Sequence, residues 1–283
     1  MQWVFVNGGF VESDEARAPA LDRGLLFGHG LFETMRARHG RVFRLDEHHR
    51  RLSQGALALG IALPRAVDDL RTAIEEIAQR NGLEDARVRL TVTAGPTPET
   101  GSATPSVLLT AAPVTDYPPE LYETGMAAIT SAVRRNETSP LSRIKSLNCL
   151  DNVLARDEAR RRGADQAILL NTQGLVAEGS SSNLFLPQGD RLLTPTIASG
   201  ALPGITRAAV LDLAQGAGID CTEVETTPEM LAGSDEAFLT GAVMGVMPLT
   251  RIDGKALGDG RPGPITRAIR RLYEQAVARE TAR

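Results

Sequence analysis

The segment Ser142-Arg143-Ile144-Lys145-Ser146-Leu147-Asn148-Cys149-Leu150-Asp151-Asn152 carries one of the chain's two lysines; the other is Lys255. Nearly all remaining positive charge is arginine. Arginine keeps its proton in proteins, whereas a desolvated lysine can release it. A neutral amine can then attack an aldehyde and form a Schiff base. Lys145 is the first candidate for covalent chemistry, although a solvent-facing lysine just before a helix fits the same spacing.

A second segment, Val176-Ala177-Glu178-Gly179-Ser180-Ser181-Ser182-Asn183-Leu184-Phe185, sets one glutamate beside glycine and three serines before an apolar run. Glu178 suits a carboxylate at a loop-strand junction. Beside a pyridine ring it would keep the ring nitrogen protonated and let the ring accept electrons. An ordinary surface turn has the same composition. A third segment, Gly200-Ala201-Leu202-Pro203-Gly204-Ile205-Thr206-Arg207, reads as a glycine opening a helix. Free backbone N–H groups and the positive end of the helix dipole favour a phosphate there. Gly241-Ala242-Val243, after a strand, could add further N–H donors. Any helix start shares these features.

The elements that must position these groups follow from pattern. Trp3 to Val6 reads as a strand, and Asn7-Gly8 as a hairpin turn into Phe10-Val11. Phe32 to Arg38 and Val42 to Leu45 flank a second hairpin at His39-Gly40. Asp46 is the expected N-cap of a helix to about Leu59. A helix over Val67 to Gln79 should stop at Asn81-Gly82. Val88 to Thr93 and Val107 to Ala111 read as strands around a loop over Gly95 to Pro105. Residues 112–124 carry Pro113, Pro118 and Pro119, which suits a connection better than a helix or central strand. Beyond it, Ala127 to Val133 reads as a strand, and Leu150 to Arg162 as a helix with apolar Leu150, Val153, Leu154 and Ala155. Ala167 to Leu170, Leu184 to Leu186 and Ala237 to Thr240 are short strands, and helices should begin near Ile205 and Pro264.

Composition bounds the answer. The chain has 283 residues, 42% hydrophobic and 23% charged, enough to bury a core without staples. A formal charge of −4 argues against a broad nucleic-acid footprint. Two cysteines, Cys149 and Cys221, exclude a disulfide framework and favour a reducing compartment. No Cys/His cluster has zinc spacing, so no metal is expected. No apolar run is long enough to span a bilayer, and Met1 to Gly8 lacks signal-peptide character. The expectation is a soluble, cytoplasmic protein with no membrane partner.

Taken together and in this order, the motifs resemble fold-type IV, class IV aminotransferases, which use pyridoxal phosphate. That group includes branched-chain and D-amino-acid aminotransferases and aminodeoxychorismate lyase. The resemblance also rests on residues 22–34 (Asp-Arg-Gly-Leu-Leu-Phe-Gly-His-Gly-Leu-Phe-Glu-Thr) and on Glu47-His48-His49-Arg50-Arg51-Leu52. Near the C-terminus, Ile252-Asp253-Gly254-Lys255 and Gly263-Pro264-Ile265-Thr266-Arg267 add to it.

The resemblance implies an α+β, two-lobed fold. It would comprise a small N-terminal lobe (residues 1–113), a linker (114–125) and a larger pseudo-barrel lobe (126–283) carrying the cofactor lysine, with the cofactor between the lobes. It implies that Lys145 forms the internal aldimine and moves the proton. Glu178 would face the pyridine nitrogen. Arg51, the backbones of Ile205 and Thr206 with the Thr206 hydroxyl, and Gly241 and Ala242 would bind the phosphate. Arg89 falls where branched-chain enzymes have a pocket arginine and is the candidate for the substrate carboxylate, although Arg87 has the same facing by alternation. Phe32 and Thr34 are placed at the substrate.

The implied reaction moves an amino group between an amino acid, of D- or branched-chain type, and a 2-oxo acid, in a homodimer. The alternative is 4-amino-4-deoxychorismate lysis, suggested by Thr34 and Met244-Gly245-Val246-Met247-Pro248. Three positions depart from many relatives: His29 replaces Asp, Cys149 replaces Tyr, and Ala242 replaces a threonine that touches the phosphate.

Overall fold

The computed structural model describes residues 2–64, 69–97, 104–115 and 117–282. The chain divides into two units. The first comprises Met1–Thr115, Ile144–Asn148 and Ala278–Arg283, the second Asp116–Arg143 and Cys149–Val277. The Lys145 segment, expected in the second lobe, thus belongs by its contacts to the first.

The first unit runs β1 (Trp3–Val6), β2 (Gly9–Glu12), α1 (Arg23–Phe27), β3 (Gly30–Arg38), β4 (Arg41–Val42), α2 (Leu45–Ala58), α3 (Leu70–Arg80), β5 (Asp85–Thr93) and β6 (Val107–Pro113). Its strands form one sheet in the order β2-β1-β6-β5-β3-β4. Along β5, buried Ala86, Val88, Leu90 and Val92 alternate with half-buried Arg87, Arg89, Thr91 and Thr93. That period of two puts one face on the core beneath α2 and α3, and leaves the other face partly open. The core includes Leu31, Met35, Leu52, Ile74, Ile77, Val88 and Leu109.

The second unit runs α4 (Pro119–Thr124), β7 (Met126–Arg135), α5 (Leu150–Arg161), β8 (Gln166–Asn171), β9 (Val176–Gly179), β10 (Asn183–Gln188), β11 (Arg191–Pro195) and α6 (Ile205–Gly216). It continues through β12 (Asp220–Val224), α7 (Pro228–Ala232), β13 (Ala237–Gly241), β14 (Gly245–Ile252), β15 (Lys255–Ala256) and α8 (Pro264–Thr281). Nine strands form a mixed sheet, ordered β12-β11-β10-β13-β14-β7-β8-β9, with β15 on β14. The fold class is α+β, as expected.

Three local expectations need correction. The strand expected at Val42 to Leu45 stops at Val42, because Arg44 turns into the left-handed region at φ 56° and α2 begins at Leu45. Arg44, not Asp46, is the N-cap; Asp46 and Glu47 lie in the first turn, where they complement the helix dipole. Within the expected linker, α4 forms because Pro119 occupies the first helical position, where no backbone N–H is needed.

Helix α5 forms where expected, but with an unexpected face on the core. Leu150, Val153 and Leu154 are 65%, 37% and 48% exposed, while Ala155 and Ala159 are fully buried. The helix packs its small residues on Ile129, Ala167 and Leu169, so its large apolar residues face out. Parts of two further readings, Val67 in the expected helix and Pro98-Glu99-Thr100 in the loop, lie outside the described residues.

Candidate active site

Residues 144–148 run along the start of β3 on the side away from β5. Phe32 N–H donates to Lys145 O at 3.0 Å, Leu147 N–H donates to Gly30 O at 2.9 Å, and Leu31 bridges Ser146. Gly30 permits this approach, since a Cβ there would meet Leu147 Cδ1 at 2.6 Å. Asn148 Nδ2 donates to Gly28 O at 2.9 Å. Lys145 is therefore tied to β3 through its own carbonyl and through Leu147 two residues on, and it is half-buried. Its Nζ lies 4.4 Å from the centre of the Phe32 ring.

The same ring meets a second cation. The Arg89 guanidinium carbon lies 3.9 Å from the Phe32 centroid. Thr34 is opposite Arg89 and Phe32 opposite Thr91 in the β3/β5 ladder, so all four share one face. Arg87, which alternation alone could not distinguish from Arg89, sits opposite Arg36 one step further from Phe32.

On the other face of β3, Glu33 is 1% exposed. Arg51 of α2 grips it with two bonds, Nε to Oε1 at 2.8 Å and Nη2 to Oε2 at 2.6 Å. His48 Nδ1 lies 2.7 Å from Glu33 Oε2, and since a carboxylate only accepts, the proton is on Nδ1. Burial alone would push the Glu33 carboxyl up; the Arg51 charge and the bonds from His48 and Arg51 outweigh it and lower the pKa from 4.5 to about 2. Arg51 is thus locked in one orientation by an ionised buried acid. Nearby, His29 Nε2 donates to Leu59 O at 2.9 Å, which ties the start of β3 to the end of α2.

In the second unit, Glu178 lies in β9, one residue before its end, and is 5% exposed. A surface turn is therefore excluded. Its Oε1 is 3.3 Å from Arg135 Nη2, and its Oε2 accepts from Leu202 N–H at 2.8 Å. Asn183 Nδ2 donates to Leu202 O at 2.9 Å and reaches Glu178 Oε2 at 3.5 Å. Two residues beyond Leu202, Gly204 opens α6 with no side-chain cap. The first N–H groups of α6, at Ile205 and the buried Thr206, have the character of an anion site. A Cβ at Gly204 would fall 2.0 Å from Asn183 Oδ1, so only glycine lets the helix start this close. Gly241 pairs with Gly245 across the β13/β14 hairpin, and Ala242 begins its turn without a hydroxyl to offer.

Sequence reasoning did not find Arg135 or the Glu33–His48 pair. For Glu33 a signal existed: it falls in phase with apolar Leu31 and Met35 on the core face of β3. Arg135, at the end of β7, carries no such mark. Met244 and Met247, which with Thr34 suggested the lyase alternative, are core residues at 3% and 0% exposure. No group of three or more potential metal ligands occurs among the described residues, and no described helix is long and apolar enough to cross a membrane.

The first unit thus holds a half-buried lysine against an aromatic ring, and the second a buried carboxylate and an uncapped, glycine-led helix. The family model for class IV amino-transferases matches residues 30–252, and the chain belongs to that family. It is 34% identical to the D-alanine aminotransferase of Bacillus licheniformis over 99% of both chains. It is 31% identical to the branched-chain-amino-acid aminotransferase of Escherichia coli K12, covering 99% of this chain and 94% of that one. A crystal structure of the E. coli branched-chain enzyme superposes with a TM-score of 0.91 at 30% identity, over 99% and 96% of the two chains. The T.th. branched-chain amino acid aminotransferase, solved with pyridoxamine 5′-phosphate, gives 0.89 at 32% identity, over 98% and 95%. The chain is an aminotransferase with the fold-type IV architecture, and its cofactor is pyridoxal 5′-phosphate.

Proposed function

We propose that the enzyme moves an amino group between a D- or branched-chain amino acid and a 2-oxo acid, with Lys145 as its catalytic residue. The observation that carries this reading is the shared Phe32 ring, with Lys145 Nζ at 4.4 Å and the Arg89 guanidinium at 3.9 Å. An amine and a carboxylate-binding cation held at one ring can address the two ends of an α-amino acid.

When bound, pyridoxal phosphate supplies an aldehyde carbon and an electron-accepting ring. In this reading Lys145 carries the proton to and from the substrate Cα. Glu178 holds the proton on the ring nitrogen. Arg51, the N–H groups of Ile205 and Thr206 with the Thr206 hydroxyl, and the Gly241-Ala242 turn bind the phosphate. Arg89 orients the substrate carboxylate, and Phe32 and Thr34 shape the space beside it. Ala242 and Cys149 offer less to the cofactor than threonine and tyrosine would, each lost neutral bond costing about 0.5–1.5 kcal/mol.

The proposed lobes are residues 1–113 and 126–283, joined by 114–125, with residues 144–148 and 278–283 carried by the first unit. A homodimer in the cytoplasm is the proposed working form. It is supported by Leu25, Leu26 and Phe27 of α1, which are 71%, 51% and 68% exposed and suit a surface covered by a second subunit.

The test is a half-reaction. The holoenzyme is mixed with single D- or L-amino acids while the cofactor absorbance is followed. Conversion to the pyridoxamine form with one enantiomer is expected and fixes the handedness. No conversion with any amino acid, together with pyruvate release from aminodeoxychorismate, would restore the lyase.

A further inference from the structure

We infer that Arg135 is a positioning residue that holds Glu178 ionised and aimed, acting through both the carboxylate and the backbone that donates to it. The inference rests on the proposed role of Glu178 toward the pyridine nitrogen.

The strands explain how the pair forms. Glu178 on β9 pairs with Leu169 of β8, and Arg135 on β7 pairs with Asn171 of the same strand. One strand and an offset of two residues along it separate the two, so the gap is roughly 11–12 Å between backbones, within the combined reach of an arginine and a glutamate. Both ladders shift register close to the contact, between Thr130 and Arg134 and between Leu169 and Leu170. Such irregularities re-aim side chains near sites.

The guanidinium does more than neutralise. Its Nη2 donates to Ser142 O at 2.8 Å, its Nε to Gly200 O at 3.0 Å and its Nη1 to Asn152 Oδ1 at 3.1 Å. Gly200 turns at φ 96°, and a Cβ there would meet Arg135 Cγ at 3.1 Å. Two residues later Leu202 N–H donates to Glu178 Oε2. Arg135 therefore fixes one carboxylate oxygen directly and the donor to the other through the Gly200 turn. Asn152, which Arg135 also holds, donates to Ser180 O just past β9. Three hydrogen-bond acceptors and one ion-paired carboxylate shared among Nε, Nη1 and Nη2 suit a guanidinium fork and not an ammonium.

The experiment uses holoenzyme reconstituted with cofactor labelled with ¹⁵N in the ring, in wild type, Arg135→Gln, Arg135→Lys and Glu178→Gln. The expected result is a ring-nitrogen resonance moved toward neutral pyridine in Arg135→Gln. kcat should fall about 10- to 100-fold, the range seen when a partner that orients a site ligand is removed, with KM little changed. Arg135→Lys should recover the melting temperature but only part of the resonance shift and of kcat. A wild-type resonance and kcat in Arg135→Gln, with only a lower melting temperature, would reduce Arg135 to a structural brace. If Arg135→Gln does not fold, a wild-type resonance and kcat in Arg135→Lys overturns the inference equally. Glu178→Gln separates the two levels: if it too leaves the resonance unmoved, the role of Glu178 fails first and that of Arg135 with it.

Discussion

Lys145 Nζ lies 4.4 Å from the centroid of the Phe32 ring, and this contact is built entirely from one strand and the segment hydrogen-bonded to it. Phe32 N–H donates to Lys145 O, so the backbone bond that joins the two segments also sets the height of the side chain above the ring. An aromatic face attracts the charged form of an amine and shields it from water on one side. Arg89 approaches the same ring from β5.

Lys145→Ala should abolish transamination and leave the fold nearly intact. Its backbone bonds survive the change, and the half-buried side chain is not part of the apolar core. Activity and circular dichroism on the same preparation check this, together with borohydride reduction and peptide mass mapping of the wild type. Retained turnover removes Lys145 from its role.

Arg89→Ala should raise KM for the amino acid substrate by more than it lowers kcat. Losing a charged hydrogen-bond partner costs about 1.5–3 kcal/mol, or roughly 10- to 150-fold. Steady-state kinetics with the amino acid identified in the half-reaction give the measurement. A variant that melts lower with unchanged KM shows that Arg89 only packs on Phe32.

Glu33 should contribute a stability that acid removes. Its folded pKa of about 2 lies below the ordinary 4.5, so the folded state binds fewer protons than the unfolded one. The contribution is complete above pH 4.5 and is lost as pH falls toward 2. Its size is on the order of 3 kcal/mol. Urea unfolding at a series of pH values should show that slope in wild type and a reduced one in Glu33→Gln. Parallel curves would dissociate Glu33 from acid sensitivity. The substitution also frees Arg51 from its clamp, so cofactor affinity should fall in the same variant.

Gly204→Ala should weaken cofactor retention, because the new Cβ meets Asn183 Oδ1 at 2.0 Å and displaces an amide that bonds Leu202 and Glu178. Gly216→Ala at the other end of α6 meets nothing within 4 Å and serves as the control. It should be neutral or stabilising by up to about 1 kcal/mol. Equal cofactor dissociation constants for the two variants would argue against a tight start of α6 at Gly204.

The candidates for the proposed site were legible because the chemistry they suit demands rare residues. Lys145 stands out in a chain that otherwise uses arginine, and Gly204 announces a helix start. The period-two pattern of β5 and the hairpin at Asn7-Gly8 were equally plain. Strands β8, β9 and β10 were harder: β8 and β9 are buried throughout and β10 in all but its last residue, so alternation is missing, and Glu178 sits inside such a run.

Residue identity and local spacing on their own established an α+β chain and singled out Lys145, Glu178 and Gly204 as candidates; the roles proposed for them come from the resemblance. Pairing across strands settled the rest. That Arg89 rather than Arg87 meets Phe32 depends on the β3/β5 register. That Glu33 locks Arg51, and that Arg135 reaches Glu178 past an intervening strand, depends on neighbours 18 and 43 positions away in the chain. Such contacts leave no periodic trace, because a charged residue stays buried only against a partner that folding brings to it.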